Sequence, residues 1–159
     1  MSHQPQYSLL CREIEQETLP LCADNGVAVL PWSPLGGGML TGKYRAGEAP
    51  GEDTRLGASE KQARRHLTEQ RFAIVEAVAA VAEEMGKTSA QVALNWVLHR
   101  PGITAPILGA RTVEQLNDNL GAEGWKLSAE HIDALNTASR LPLSYPHDMY
   151  DMIGLRPYD

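Results

Sequence analysis

Three short β-rich runs constrain this 159-residue chain more than any other feature: HQPQYSL at 3–9, VAVLPW at 27–32 and ITAPILG at 103–109. Helical segments separate them, so the strands are expected to pair in parallel through right-handed crossovers. Pro5 places the first run at an edge. The second is a continuous apolar run and reads as a strand buried on both faces. Three parallel strands leave two open edges and little area on which to pack four or five helices. The count therefore points to part of a larger sheet, completed by another chain or another copy.

The intervening segments carry their own punctuation. A helix is expected over EIEQETLPLCADNG, closed by Asn25 and Gly26, which tolerate a left-handed C-cap. Residues 33–58 are rich in Gly, Pro and charge and read as a long loop of the kind that usually serves function. SEKQ at 59–62 has capping-box form for a short helix leading into 69–85. There Phe72, Val75, Val78, Ala82 and Met85 recur at helical spacing, and Gly86 stops the stripe. Thr88 and Gln91 form a second capping box, for a helix over 89–99 that ends at Pro101-Gly102. Thr112 caps another helix, with Gln115 reaching back, and Ser128 caps a last one over 129–139. Pro142, Pro146 and Pro157 predict an irregular tail, so the organisation reads as one domain over 1–140 and a tail over 141–159.

Composition narrows the classes. With 43% hydrophobic and 21% charged residues the chain is an ordinary globular one. A net charge of −6 leaves no footprint for nucleic acid or an anionic membrane. Cys11 and Cys22, without paired histidines, give no zinc signature and read as reduced thiols of a cytoplasmic protein. MSHQPQYSLL lacks the basic and apolar regions of a secretory signal.

The glycines of PWSPLGGGMLTGKY match neither G-x-G-x-x-G nor the P-loop, because Lys43 lacks the following Ser or Thr at the required spacing. By motif alone they are a flexible turn without side chains to exclude a ligand. The segment LGARTVEQ is different: a strand, a turn and a capped helix start aim backbone N–H groups and the helix dipole at one place.

Taken together, QPQYSLL, VLPWSPLGGGMLTGKY, SAQVALNWVL and PILGARTVEQLNDNL resemble the C-terminal half of an aldo-keto reductase, over nearly the whole chain. The resemblance implies the sixth, seventh and eighth strands of a TIM (β/α)8 barrel, and a family that transfers hydride from NADPH to aldehydes and ketones. It implies that Gln4 hydrogen-bonds the nicotinamide carboxamide and that Trp32 stacks on the ring. Ser33, Leu35 and Gly37 would lie along the pyrophosphate. Gly109, Arg111, Gln115 and Asn119 would hold the adenosine end, Arg111 meeting the 2′-phosphate. The chemistry agrees: an amide matches a carboxamide, an indole offers a flat stacking face, and a guanidinium binds phosphate bidentately.

The family's catalytic Asp, Tyr, Lys and His belong to earlier strands and have no counterpart here, so no catalytic residue is assigned. Tyr7, His3, Lys43 and Tyr44 are chemically able to donate a proton, but Tyr7 reads as packing and the 43–44 pair as solvated. No metal site is expected. Without the rest of a barrel wall, Ala28, Leu30 and Trp32 would meet water, which favours a homo-oligomer, with a dimer the commonest form. The sequence thus implies a half-barrel with a partial NADPH surface, not a competent carbonyl reductase alone. Two alternatives remain: a reductase active in an oligomer or with a front-half partner, and a non-enzymatic binding module.

Overall fold

Prolines decide how far the strands extend. In a computed structural model, which describes residues 1–51, 54, 56–59, 67–143 and 145–154, β1 (Ser2–His3) pairs in parallel with β2 (Ala28–Val29). Ser2 lies opposite Ala28 and His3 opposite Val29. Further on, the ladder is reduced to two parallel bridges, Gln6 with Trp32 and Trp32 with Ile107. Pro5, Pro31 and Pro106 sit within the three runs and supply no N–H to a ladder. Their neighbours use the carbonyls instead: Trp32 N donates to Pro5 O at 2.9 Å and Ile107 N to Pro31 O at 2.7 Å. The third expected strand, 103–109, is therefore corrected to an extended segment. It is held by Ile107 and by Thr104, whose N donates to Val29 O at 2.9 Å.

Only one face of this ribbon is covered. Val29 and Pro31 are buried, Ala28 and Leu30 are half-buried, and Trp32 is 46% exposed. The period-two alternation corrects the expectation that 27–32 is buried on both faces.

The helix expected over 13–26 is broken. A 3-10 turn covers Glu13–Glu15, and α1 begins afresh at Thr18 and runs to Asp24. Pro20 accounts for the break, since its ring is tolerated in a first turn but not in a helix interior. Gly26 leaves α1 at φ +62°. The 33–58 loop likewise contains structure, a 3-10 winding over Gly36–Thr41.

The remaining helices start at side-chain caps. α2 (Glu69–Met85) is capped by Thr68 and ends at Gly86 with φ +61°. It buries Ile74, Val75, Val78, Val81 and Ala82, while Phe72 and Met85 are half-buried. In α3 (Ser89–Leu98) both halves of the Thr88–Gln91 capping box form, and Val92 through Val97 are all buried. A helix buried on nearly every side is the centre of its layer, and α3 packs against α2, α4 and the 36–41 winding. Each large apolar side chain so buried is worth about 1.5–3 kcal/mol. α4 (Val113–Leu120) and α5 (Ala129–Ala138) accept their first-turn caps at Thr112 and Ser128.

A six-residue helix, α6 (His147–Met152), interrupts the tail expected to be irregular. Pro146 stands just ahead of its first turn, where the missing N–H is harmless. His147 Nε2 lies 3.5 Å from Glu17 Oε1, tying the tail to the start of α1. Glu60 to Gln62, the rest of the capping box expected at 59–62, lie outside the described residues, as does Pro157. No helix among the described residues is long and apolar enough to cross a membrane.

Candidate functional site at the strand ends

The site is built at the far ends of the three extended segments. By register, Gln4 stands opposite Leu30 and Gln6 opposite Trp32. Pro5 and Tyr7 are buried, so alternation puts Gln4 and Gln6 on the uncovered face with Leu30 and Trp32. Gln4 is exposed, as its expected role requires; Gln6, which the sequence reading passed over, is the residue beside Trp32. Two amides in one alternating run were the signal for it.

Immediately after Trp32 the backbone turns sharply. Ser33 has φ +56°, unique among non-glycine described residues, and Gly36, Gly37 and Gly38 follow at +58°, +68° and +93°. A non-glycine residue in the left-handed region is strained. Here the strain is met by hydrogen bonds: Ser33 O accepts from Gly36 N at 2.9 Å, and its Oγ accepts from Gly37 N at 3.3 Å. The three glycines differ in purpose. A Cβ at 36 would meet Leu10 Cδ1 at 2.6 Å, and one at 38 would meet Lys43 Nζ at 2.7 Å. At 37 it would meet nothing, so only Gly37 lies open to a ligand. Leu35 turns its side chain to the core, and its carbonyl accepts from Gly38 N and Leu40 N. Tyr44 is buried, its hydroxyl accepting from Leu56 N at 3.3 Å, which corrects the reading of 43–44 as a solvated pair.

The second half of the site follows Ile107. Gly109, Arg111 and Gln115 are exposed, whereas Asn119 is buried at the far end of α4. Thr112 Oγ1 accepts from Gln115 N at 3.2 Å, and Gln115 Oε1 accepts from Arg111 N at 2.9 Å. The amide thus reaches back one residue beyond the N-cap. The exposed Glu114 carboxylate accepts from its own backbone N–H and from the Thr112 hydroxyl, which hold it below the usual carboxyl range. An anion of the chain's own therefore sits at this helix start.

On the covered face, Tyr7 donates its hydroxyl proton to Glu15 at 2.5 Å and accepts from Arg100 Nε at 3.2 Å. Burial, then the Glu15 charge, push the phenol far above its ordinary value. Burial alone would raise Glu15. Hydrogen bonds from Arg12 and Tyr7 and the charges of Arg12 and Arg100 outweigh it and hold Glu15 low. Arg12 and Arg100 both lie over the Trp96 ring, 5.2 and 5.0 Å from its centre. Tyr7 is a strut that keeps its proton, in agreement with its reading as packing. Cys11 and Cys22 are free thiols, Cys11 pushed up to about 12 by burial and by Glu13. No cluster of metal-ligating side chains occurs among the described residues.

Comparison with known proteins shows the family and the fold. The profile of the Aldo/keto reductase family matches residues 1–140. An uncharacterized oxidoreductase of Bacillus subtilis, YrpG, is 40% identical over 136 residues, which are 86% of this chain and 39% of that protein. Versiconal hemiacetal acetate reductase of Aspergillus parasiticus is 33% identical over 135 residues, 85% of this chain and 39% of that one. Among solved structures, a glycerol dehydrogenase of Gluconobacter oxydans superposes with a TM-score of 0.72 at 26% identity. The superposition covers 91% of this chain and 45% of that one. The chain thus spans about two fifths of the length of these curated relatives. Its α/β fold corresponds to under half of a TIM-barrel oxidoreductase. The chain belongs to the aldo/keto reductase family.

Proposed function

We propose that this chain supplies the nicotinamide-cofactor surface of an aldo/keto reductase and takes part in carbonyl reduction only when the rest of a barrel is provided. The observation that carries the reading is Trp32. Its indole is 46% exposed although its backbone N–H and C=O are both hydrogen-bonded, to Pro5 and Tyr7, and it is followed at once by a strained, glycine-lined turn. An aromatic face held rigidly at a strand end suits stacking by a flat ring. Gln4 and Gln6 beside it offer amide donors and acceptors to a carboxamide. Gly37, with Ser33 and the backbone of Leu35, forms a path for a pyrophosphate. Gly109, Arg111 and Gln115 bind the adenosine end, and Arg111 favours NADPH over NADH through the 2′-phosphate. Asn119, being buried, shapes α4 rather than touching the ligand.

When bound, the cofactor supplies hydride. Reduction also needs an acid within hydrogen-bond reach of the carbonyl oxygen. The Tyr7 hydroxyl does not serve, because it is buried on the other face and bonded to Glu15 and Arg100. The assay follows NADPH absorbance with 4-nitrobenzaldehyde, for the chain alone and mixed with the front portion of a related barrel. Turnover only in the mixture is expected; equal turnover by the chain alone contradicts the division of labour.

The exposed apolar side chains support self-association as well. Trp32 and Ile107 adjoin on the ribbon, and Val113, Leu116 and Leu120 form a stripe along α4, from 40% to 67% exposed. Such surface is costly to leave in water. Sedimentation at micromolar concentration is expected to show a dimer that Leu120→Glu weakens; a monomer throughout contradicts it.

A further inference from the structure

A cavity of about 370 Å³ opens between the last turn of α3 and the segment entering α5. That volume is at the lower end of the range for small-molecule sites. It lies at the starting end of the third segment, because His99, Arg100 and Pro101 precede Thr104, which pairs with Val29. Trp32 and Arg111 stand at the opposite end of the ribbon, so nothing in the cofactor reading uses this cavity.

Its walls are fixed. Asn95 is fully buried and spends both ends of its amide there: Nδ2 donates to the carbonyls of Ala122 and Trp125 at 2.9 and 2.8 Å, and Oδ1 accepts from Leu127 N at 3.2 Å. Trp96 is pinned by its Nε1, which donates to Asn136 Oδ1 at 3.1 Å. With Leu127 and Ile132 it gives the cavity an apolar floor.

The charges are one-sided. Arg100 and Lys126 line the cavity and no carboxylate does, in a chain whose net charge is −6. Arg100 is already engaged by Tyr7 and Glu15. His99 Nδ1 donates to Asn95 O at 3.0 Å, since a carbonyl can only accept. The Lys126 ammonium has no side-chain or backbone partner among the described residues. An apolar floor beside the unpaired Lys126 ammonium recognises a small amphiphilic anion.

We propose that this cavity binds a small organic carboxylate with a compact apolar body, its carboxylate meeting Lys126 and its body lying against Leu127 and Ile132. The test titrates 3-phenylpropionate and its neutral amide, 3-phenylpropionamide, into the whole chain by calorimetry and by amide NMR. One saturable site is expected, with shifts at residues 95–101 and 126–132 and at least tenfold preference for the carboxylate. Lys126→Met is expected to weaken binding at least fivefold, and Lys126→Arg to restore most of it. Lys126 is exposed, so both variants should fold, which circular dichroism checks. Failure to saturate, equal binding of the amide, shifts elsewhere, or an unaffected Lys126→Met variant would each overturn the proposal.

Discussion

The side-chain amide of Gln91 occupies the space that a Cβ on residue 121 would need, so Gly121 is glycine for room, not for backbone freedom. Its φ is −64°, a value any residue adopts. The amide is held there because Nε2 donates to Asp118 O at 3.0 Å and to Asp118 Oδ1 at 3.1 Å, while Oε1 accepts from Thr88 N at 3.3 Å. The Thr88 hydroxyl adds a donor to the Asp118 carboxylate. One capping box thereby fastens the start of α3 to the end of α4.

Gly121→Ala forces this amide aside. Overpacking of this kind costs about 1–3 kcal/mol, read as a lower urea midpoint. Gln91→Ala removes the obstacle, so the double variant should lose less than the sum of the singles. Additive losses would show that the two residues do not share the space.

Glu15 makes folding stability acid-sensitive. Its folded carboxyl titrates below the ordinary 4.5, so its contribution is complete above that value and is lost as pH falls through the lower folded one. Glu15→Gln should cost about 1–2 kcal/mol at neutral pH, a figure reduced for the group's partial exposure. The same variant should flatten the acid limb of the stability curve. A variant whose loss is the same at pH 7 and pH 3 would contradict the assignment.

Glu114 competes with any phosphate brought to the start of α4. Replacing it by Gln removes a negative charge from the helix N-terminus, where the dipole favours one. Binding of 2′,5′-ADP should tighten roughly two- to fivefold by calorimetry, the gain shrinking at high salt. Weaker binding would mean that the carboxylate holds the turn in shape and does not exclude anions.

Local chemistry was the legible part of this sequence. The caps at Thr88, Thr112 and Ser128 and the terminator at Gly86 lie where the residues imply, because each bond closes within four positions. What the chain settles through neighbours was harder to read. Prolines 5, 31 and 106 shorten the ladder, and Pro20 divides a helix whose apolar pattern runs through it. The uncovered face of 27–32 is invisible in a continuous apolar run. At the site, the Thr112 cap and the start of α4 could be read from local residue types, whereas Trp32 is singled out only by the resemblance. That Leu35 and Asn119 turn inward depends on the core they join. Glu114 and Gln6 carried their signals in plain view, an acid in a first helical turn and a second amide two residues after Gln4.

The central claim is that the surface around Trp32 binds a nicotinamide cofactor, and NADPH titration monitored by tryptophan fluorescence tests it most directly. Trp96 is buried and Trp125 half-buried, so Trp32 should dominate the response to an added stacking ring. Saturable quenching is expected, absent in Trp32→Leu and weakened at least fivefold in Arg111→Ala. A folded chain that shows no saturable response to millimolar NADPH, or the same response without Trp32, would contradict the account.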